Sequence, residues 1–318
     1  MADCVETMAY FNYDEVAKER FVPWHGLGTE VDHAMTSKEA LELAGLDWTV
    51  EQRPIFIESS PFTQIPGYVA NVRDKDNKVL GVVTPRYKVV QNAEAFEFTD
   101  NLIGGDVKYV TAGSLKEGRR VWMLAQLPRT RILGDDVDPY ICFSNSHDGT
   151  GTVKVCMTPI RVVCNNTLNL ALESAKRCWS TRHMGNIESK LNEAKQTLQM
   201  ADTYMAALNE EMERLANINL TEERVDEILK EVFPIAEDDT DRKKRNMENA
   251  RDGIIACYYM PDISKFMGTA LGLVNAASDF ATHSAPVRET ETYYENNWGK
   301  TMDGHPIIDR IHELVCVR

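Results

Sequence analysis

The sequence predicts an α+β fold: an antiparallel β-meander core with packed helices, followed by a C-terminal helical region built on a long helical hairpin. Three observations carry this. Between Trp48 and about Cys164, short apolar runs alternate with polar residues and are parted by turns such as Asp74-Lys75-Asp76-Asn77 and Lys116-Glu117-Gly118, the period-two pattern of half-buried strands. From Ile187 to Leu215, apolar residues recur at steps of four and three, an a/d seam that must pack on another helix. The 318 residues, 43% hydrophobic and 26% charged, are enough to bury a full core and match ordinary globular composition.

The elements follow in order. Residues 1–50 read as an arm lying over the core, ending in a small helix that Thr36-Ser37 caps and Gly45 stops. Trp48–Arg53 alternates, and Gly67–Arg73 and Lys78–Val83 flank a turn, which makes a hairpin. Asn92 caps a helix with Ala95, Phe98 and Leu102 on one face. A second set of strands runs through Asp106–Thr111, Arg119–Ala125, Tyr140–Phe143 and Thr152–Met157, continuing at Ile160–Val163, and Asn165-Asn166-Thr167 then caps a helix reaching about Arg177. The long helix from Ile187 is followed by helices over Thr221–Phe233, Asp241–Tyr259 and Ser264–Ala281, the first two ended by Pro234 and Pro261. Small residues in the last, Gly268, Ala270, Gly272, Ala276 and Ala277, permit close approach. The expected division is an α+β domain over residues 1–185 with its N-terminal arm and a helical domain over 186–318.

Charge narrows the functional classes. Net charge is −14 and the pI about 5.0, which argues against a protein that binds nucleic acid or anionic membrane with its whole surface. The balance is uneven: residues 1–70 carry −8, residues 71–190 carry +4 and residues 191–318 carry −10. The basic island holds Arg86, Lys88, Lys116, Arg119, Arg120, Arg129, Arg131, Lys154, Arg161, Lys176, Arg177 and Arg182, beside Tyr87, Tyr109, Trp122, Tyr140 and Trp179. Such a set can track a phosphate backbone while bases stack on rings. It can equally be a solvated outer face over an aromatic core, and Asp135, Asp136, Asp138 and Asp148 interrupt it.

Other chemistry is weaker. Cys164 precedes the expected helix N-terminus, with His147 available as a base, so a cysteine-dependent hydrolase is conceivable, although a cysteine after Val162-Val163 more simply fills a core. The histidines are read as lacking the short-spaced partners of a zinc site, and no metal or cofactor is expected. Gly26-Leu27-Gly28 and Gly149-Thr150-Gly151 lack the strand–loop–helix context of phosphate-binding motifs and read as turns. The seven cysteines show no paired close spacing, the N-terminus is acidic, and no stretch approaches an apolar span. The expectation is a cytoplasmic protein with reduced thiols and no membrane partner.

Trp24-His25-Gly26-Leu27-Gly28, Arg86-Tyr87-Lys88-Val89-Val90-Gln91-Asn92, Thr111-Ala112-Gly113-Ser114-Leu115, Gly118-Arg119-Arg120-Val121-Trp122, Asn145-Ser146-His147-Asp148-Gly149 and Arg161-Val162-Val163-Cys164-Asn165-Asn166-Thr167-Leu168-Asn169 together resemble the phage/plasmid-like protein family known as domain of unknown function 932. The resemblance implies a phage or plasmid setting in a bacterial host cell, and brings no catalytic residues with it. In that setting the basic island reads as a surface for binding or annealing single-stranded DNA. Lys116, Arg119, Arg120, Lys154, Arg161, Lys176 and Arg177 would contact phosphates, Trp122 or Tyr140 would offer a stacking surface, and the helix N-terminus at Asn165, Asn166 and Thr167 would bind an anion. The alternative is a non-enzymatic interaction protein, such as an inhibitor of a host defence factor, docking on a host protein. The heptad seam leaves a homo-oligomer open.

Overall fold

The computed structural model describes residues 5–11, 29–103, 108–161, 166–167, 177–261, 263–283, 300 and 304–317. The predicted meander is present. Strands β6 (Lys108–Leu115), β7 (Arg120–Gln126), β9 (Asp135–Ser146) and β10 (Val153–Arg161) pair antiparallel in spatial order β6-β7-β9-β10. The Lys116–Arg119 loop closes the first hairpin with Lys116, Glu117 and Gly118 all at positive φ, a conformation in which only the glycine is free of a Cβ penalty. A small strand β8 (Thr130–Ile132) folds back on β9 through Leu133-Gly134. This hairpin lies inside a charged stretch whose sequence carries no clear strand alternation.

Both edges of the meander are extended. On one side β1 (Val5–Phe11) pairs antiparallel with β6, and β2 (Thr29–Val31) pairs parallel with β1. The start of the expected overlying arm is therefore an added strand, since its unpaired peptide groups complete the open ladder of β6. On the other side, β10 carries β11 (Asn166–Thr167) along its C-terminal end and β12 (Cys178–Thr181) along its N-terminal end. Asn166 and Thr167 thus belong to a strand, paired with Arg161 and Ile160, and not to a helix cap. The ladder satisfies their peptide groups where a cap would have used only side chains. Register sets Cys156 opposite Cys178 with their Cα atoms 4.2 Å apart, and the two form a disulfide, contrary to the expectation of reduced thiols.

A second antiparallel sheet joins β3 (Val50–Ile57), β4 (Thr63–Arg73) and β5 (Val79–Val83), and contains the predicted hairpin. Helices α1 (Ser37–Leu43) and α2 (Asn92–Ile103) pack with the large sheet. Helix α1 carries a full capping box, with Thr36 and Glu39 each bonding the other's backbone N–H. The first core unites Ala112, Val121, Met123, Ile141, Phe143, Val153 and Val155 on one face of the large sheet with Ala40, Ala95, Phe96 and Phe98 from the helices.

The C-terminal elements are helical as read. Helix α3 (Ile187–Ala216) is followed by α4 (Glu222–Val232), α5 (Asp241–Tyr258), a 3-10 turn at Ser264–Phe266, α6 (Ala270–His283) and α7 (Pro306–Cys316). The single helix expected over Ser264–Ala281 is split, because Gly268 adopts φ +79° and redirects the chain. Leu208, Met212 and Leu215 of the heptad seam pack within the chain on Val225, Ile228, Ile254, Leu273, Val274, Ile308 and Ile311. Each such side chain contributes about 1.5–3 kcal/mol on burial. This second core also takes Ile132, Val137 and Met157 from the large sheet. Among the described residues, no helix is long and apolar enough to cross a membrane.

The two sheets meet at a glycine. A Cβ at Gly81 of β5 would stand 2.5 Å from the Cα of Asp148, in the β9–β10 turn, and one at Gly149 would stand 2.8 Å from Val83 Cγ1. At Gly81 backbone meets backbone, so no side chain can rotate away. Gly81→Ala is expected to destabilise by about 1–3 kcal/mol through overpacking, read as a lowered denaturant midpoint at constant slope.

Candidate nucleic-acid interface

Alternation along the strands sorts the predicted residues. Register aligns Trp122 with Ser144 and Ser144 with Lys154, and aligns Arg120 with Ser146. Arg120, Trp122 and Lys154 therefore share the face of the large sheet opposite the first core. Arg177 donates to Met157 O at 2.9 Å, and the charges of Arg177 and Lys154 both act on the Cys142 thiol, which burial pushes well above its ordinary value. Lys154 and Arg177 thus act on one buried thiol, while Arg120 lies on the same sheet face beside Asp148.

The rest of the prediction needs correction. Trp122 is wholly buried and Tyr140 is 8% exposed, so neither offers a stacking surface. The central strands are covered on both faces, and a strand buried twice shows no alternation from which inside and outside can be told. Lys116, Arg120, Lys154 and Arg177 are half-buried and already engaged in contacts, with Arg120 acting on Asp148. Arg129 forms a two-pronged pair with Asp138 at 2.6 and 2.9 Å, and Arg131 pairs with Asp136 at 2.8 Å. Arg161 lies seven positions from Lys154 on the same strand, hence at a position of opposite parity. The strand at Asn166 and Thr167 removes the expected anion-binding helix N-terminus. Cys164, Asn165 and Lys176 lie outside the described residues.

The exposed cations gather instead at one end of the large sheet, around a buried polar frame. His147 is fully buried in the β9–β10 turn, and its backbone N–H donates to Arg119 O at 2.7 Å. Asn71 Nδ2 of β4 donates to His147 O at 2.7 Å, and the Tyr87 hydroxyl donates to Ser146 O. Asn145 Nδ2 donates to Val90 O at 2.8 Å. Asn92 Nδ2 donates to Leu46 O at 2.9 Å, which turns its Oδ1 toward His147 Nε2 at 3.0 Å. The Tyr87 ring stacks on His183 with centroids 4.5 Å apart, while Lys88 N donates to His183 O and His183 Nδ1 donates to Lys88 O, both at 2.9 Å. Each bond satisfies a buried peptide group or amide that would otherwise cost about 1–3 kcal/mol.

Arg86, Lys88, Arg119 and Arg182 decorate this frame. All four are exposed, and their side chains form no ion pair or hydrogen bond among the described residues. Their backbones are tied together through Arg119–His147, Ser146–Tyr87 and Lys88–His183. Two nearby acids among the described residues, Glu117 and Asp148, are committed. Glu117 pairs with Lys78 at 2.9 Å. Burial alone would raise the Asp148 carboxyl, but bonds from the Ser146 hydroxyl and from the Thr150 N–H and hydroxyl, with the Arg120 charge, hold it below the usual carboxylate range. Arg86, Lys88 and Arg182 belonged to the sequence's basic island without being singled out; their adjacency to the buried Tyr87 and His183 is the signal that marks them.

His147 thus works as a structural group rather than as a base. Burial, helped by the positive field of His183 and opposed by Asp148, lowers its pKa to about 3. The unfolded chain protonates near the ordinary value of about 6.5, so stability is fully present above that pH and is lost as the pH falls toward 3. The expected loss is about 1.4 kcal/mol per pH unit inside this window. Denaturant melts at pH 7 and pH 5 check it, and His147→Gln should flatten the dependence.

Among curated proteins and among solved structures, nothing matches the chain. A family model described as Domain of unknown function (DUF932) matches residues 79–299. Those bounds take in β5, the meander, helices α3 to α6 and the frame residues Tyr87, Asn92, Asn145, His147 and His183, though not Asn71 or Leu46, and on this match the chain belongs to the domain of unknown function 932 family.

Proposed function

We propose that the chain is a phage- or plasmid-encoded DNA-metabolism protein that binds single-stranded DNA and brings complementary strands together, gripping phosphates at the cationic end of the large sheet. The observation that carries this reading is the set of four exposed cations, Arg86, Lys88, Arg119 and Arg182, which form no ion pair among the described residues and are held on one hydrogen-bonded frame. Phosphate contacts of this kind are indifferent to sequence. With Trp122 and Tyr140 in the interior, bases remain unstacked against the protein and open to a second strand. The acidic remainder of the chain does not forbid the interaction, since charges more than about 8 Å away are largely screened at physiological salt. The test is binding of a fluorescent oligonucleotide by the native chain and by a variant lacking the four cations, at several ionic strengths.

A second reading rests on a different surface. Phe56, Ile57, Tyr68 and Val82 of the β3-β4-β5 sheet and Phe62 of the β3–β4 loop are each at least half exposed, which suits an apolar protein interface better than a nucleic acid. Under this reading the partner is a host protein, and its binding responds little to salt.

A further inference from the structure

Glu211 near the end of α3 and His312 and Cys316 on α7 place a carboxylate oxygen, an imidazole nitrogen and a thiol sulfur all within 4.8 Å of one another, each half-buried. His312 and Cys316 stand four residues apart, one above the other on a single helical face. A spacing of four between a histidine and a cysteine lies within the range of zinc-ligand pairs. Across the helix pair, His312 Nε2 lies 2.6 Å and Cys316 Sγ 4.0 Å from Glu211 Oε1. Nitrogen, oxygen and sulfur donors together suit zinc, which binds them at about 2.0–2.3 Å in a tetrahedron whose edges are roughly 3.5 Å.

Arg214 supplies the second, independent observation. Its Nη2 lies 2.6 Å from Glu211 Oε1 and 2.7 Å from Cys316 Sγ, so a positively charged nitrogen already stands between two of the three donors. The Arg214 side chain is 46% exposed and can withdraw into water. We propose that Glu211, His312 and Cys316 form a binding site for a zinc-class divalent ion, which displaces Arg214 and clamps α7 onto α3. On binding, Cys316 releases its thiol proton to solvent and the thiolate joins the metal, leaving a fourth position for water.

The test is titration of the metal-stripped full chain with Zn²⁺ against a chromophoric chelator. One equivalent per chain is expected, with affinity falling by more than the roughly tenfold loss that even an outer-shell change produces in Cys316→Ser and in Glu211→Gln. Arg214→Gln keeps every ligand, removes the internal competitor and is expected to bind more tightly. With Co²⁺ as probe, a thiolate-to-metal absorption band should appear, vanish in Cys316→Ser and persist in Cys257→Ser. Far-UV circular dichroism establishes that each variant is folded. Zn²⁺ binding unchanged by both ligand substitutions, or no Zn²⁺ equivalent in the unsubstituted chain whatever Arg214→Gln does, overturns the site.

Discussion

A chain carrying Arg86→Ala, Lys88→Ala, Arg119→Ala and Arg182→Ala is expected to show a slope of log affinity against log salt for single-stranded DNA shallower by about 3 than the native chain's. Each phosphate contact on a single strand contributes roughly 0.7 to that slope through counterion release. Four contacts of this kind weaken native binding about fiftyfold when salt rises from about 50 to 200 mM, whereas the variant should change far less. All four side chains are exposed, and surface substitutions of this sort usually alter stability by less than about 0.5 kcal/mol. Melting curves should therefore coincide while the binding curves separate. Equal slopes for the two proteins would place the DNA surface elsewhere.

Trp122→Ala is expected to produce the reverse pattern: a loss of about 3–5 kcal/mol in stability with no specific change in salt slope. Trp122 is wholly buried at the centre of β7, aligned with Ser144 on β9, and truncation there opens a cavity the rigid sheet cannot collapse around. Trp122→Phe should recover much of the stability and bind DNA as the native chain does. A folded Trp122→Phe that loses single-stranded DNA while retaining its melting temperature would restore the tryptophan as a base-stacking platform and contradict its interior placement.

Much of the architecture was legible because local chemistry and tertiary packing agree. Helix α3 announces itself through the Ile187–Leu215 seam, α1 through the Thr36-Ser37 cap and the Gly45 stop, and the ends of α4 and α5 through Pro234 and Pro261. The turns at residues 74–77, 116–119 and 146–152 place the hairpins correctly. Legibility failed where a segment's structure is decided by a distant partner. Val5–Phe11 becomes a strand because β6 leaves it an open edge, and Asn166–Thr167 pairs with β10 although Asn-Asn-Thr is good cap chemistry. The site failed for a related reason. Tyr and Trp are intermediate between core and surface, so their residue type does not say that Trp122 and Tyr140 are inside. The clustering of positive charge was readable from composition, but separating the ion-paired Arg129 and Arg131 from the exposed Arg119 and Arg182 requires knowing which strand lies beside which.

The clasp around His147 is made largely of side chains that grip main-chain carbonyls: Asn71 on His147, Tyr87 on Ser146, Asn145 on Val90 and Asn92 on Leu46. A carbonyl is the same chemical group whatever residue bears it. The neighbours that project outward, Arg86, Lys88 and Arg119 among them, can therefore be exchanged without loosening a single one of those bonds. Descent with modification has here a fixed chassis and a freely rewritable rim, so two proteins built on this frame could share every clasp residue and still recognise unrelated ligands.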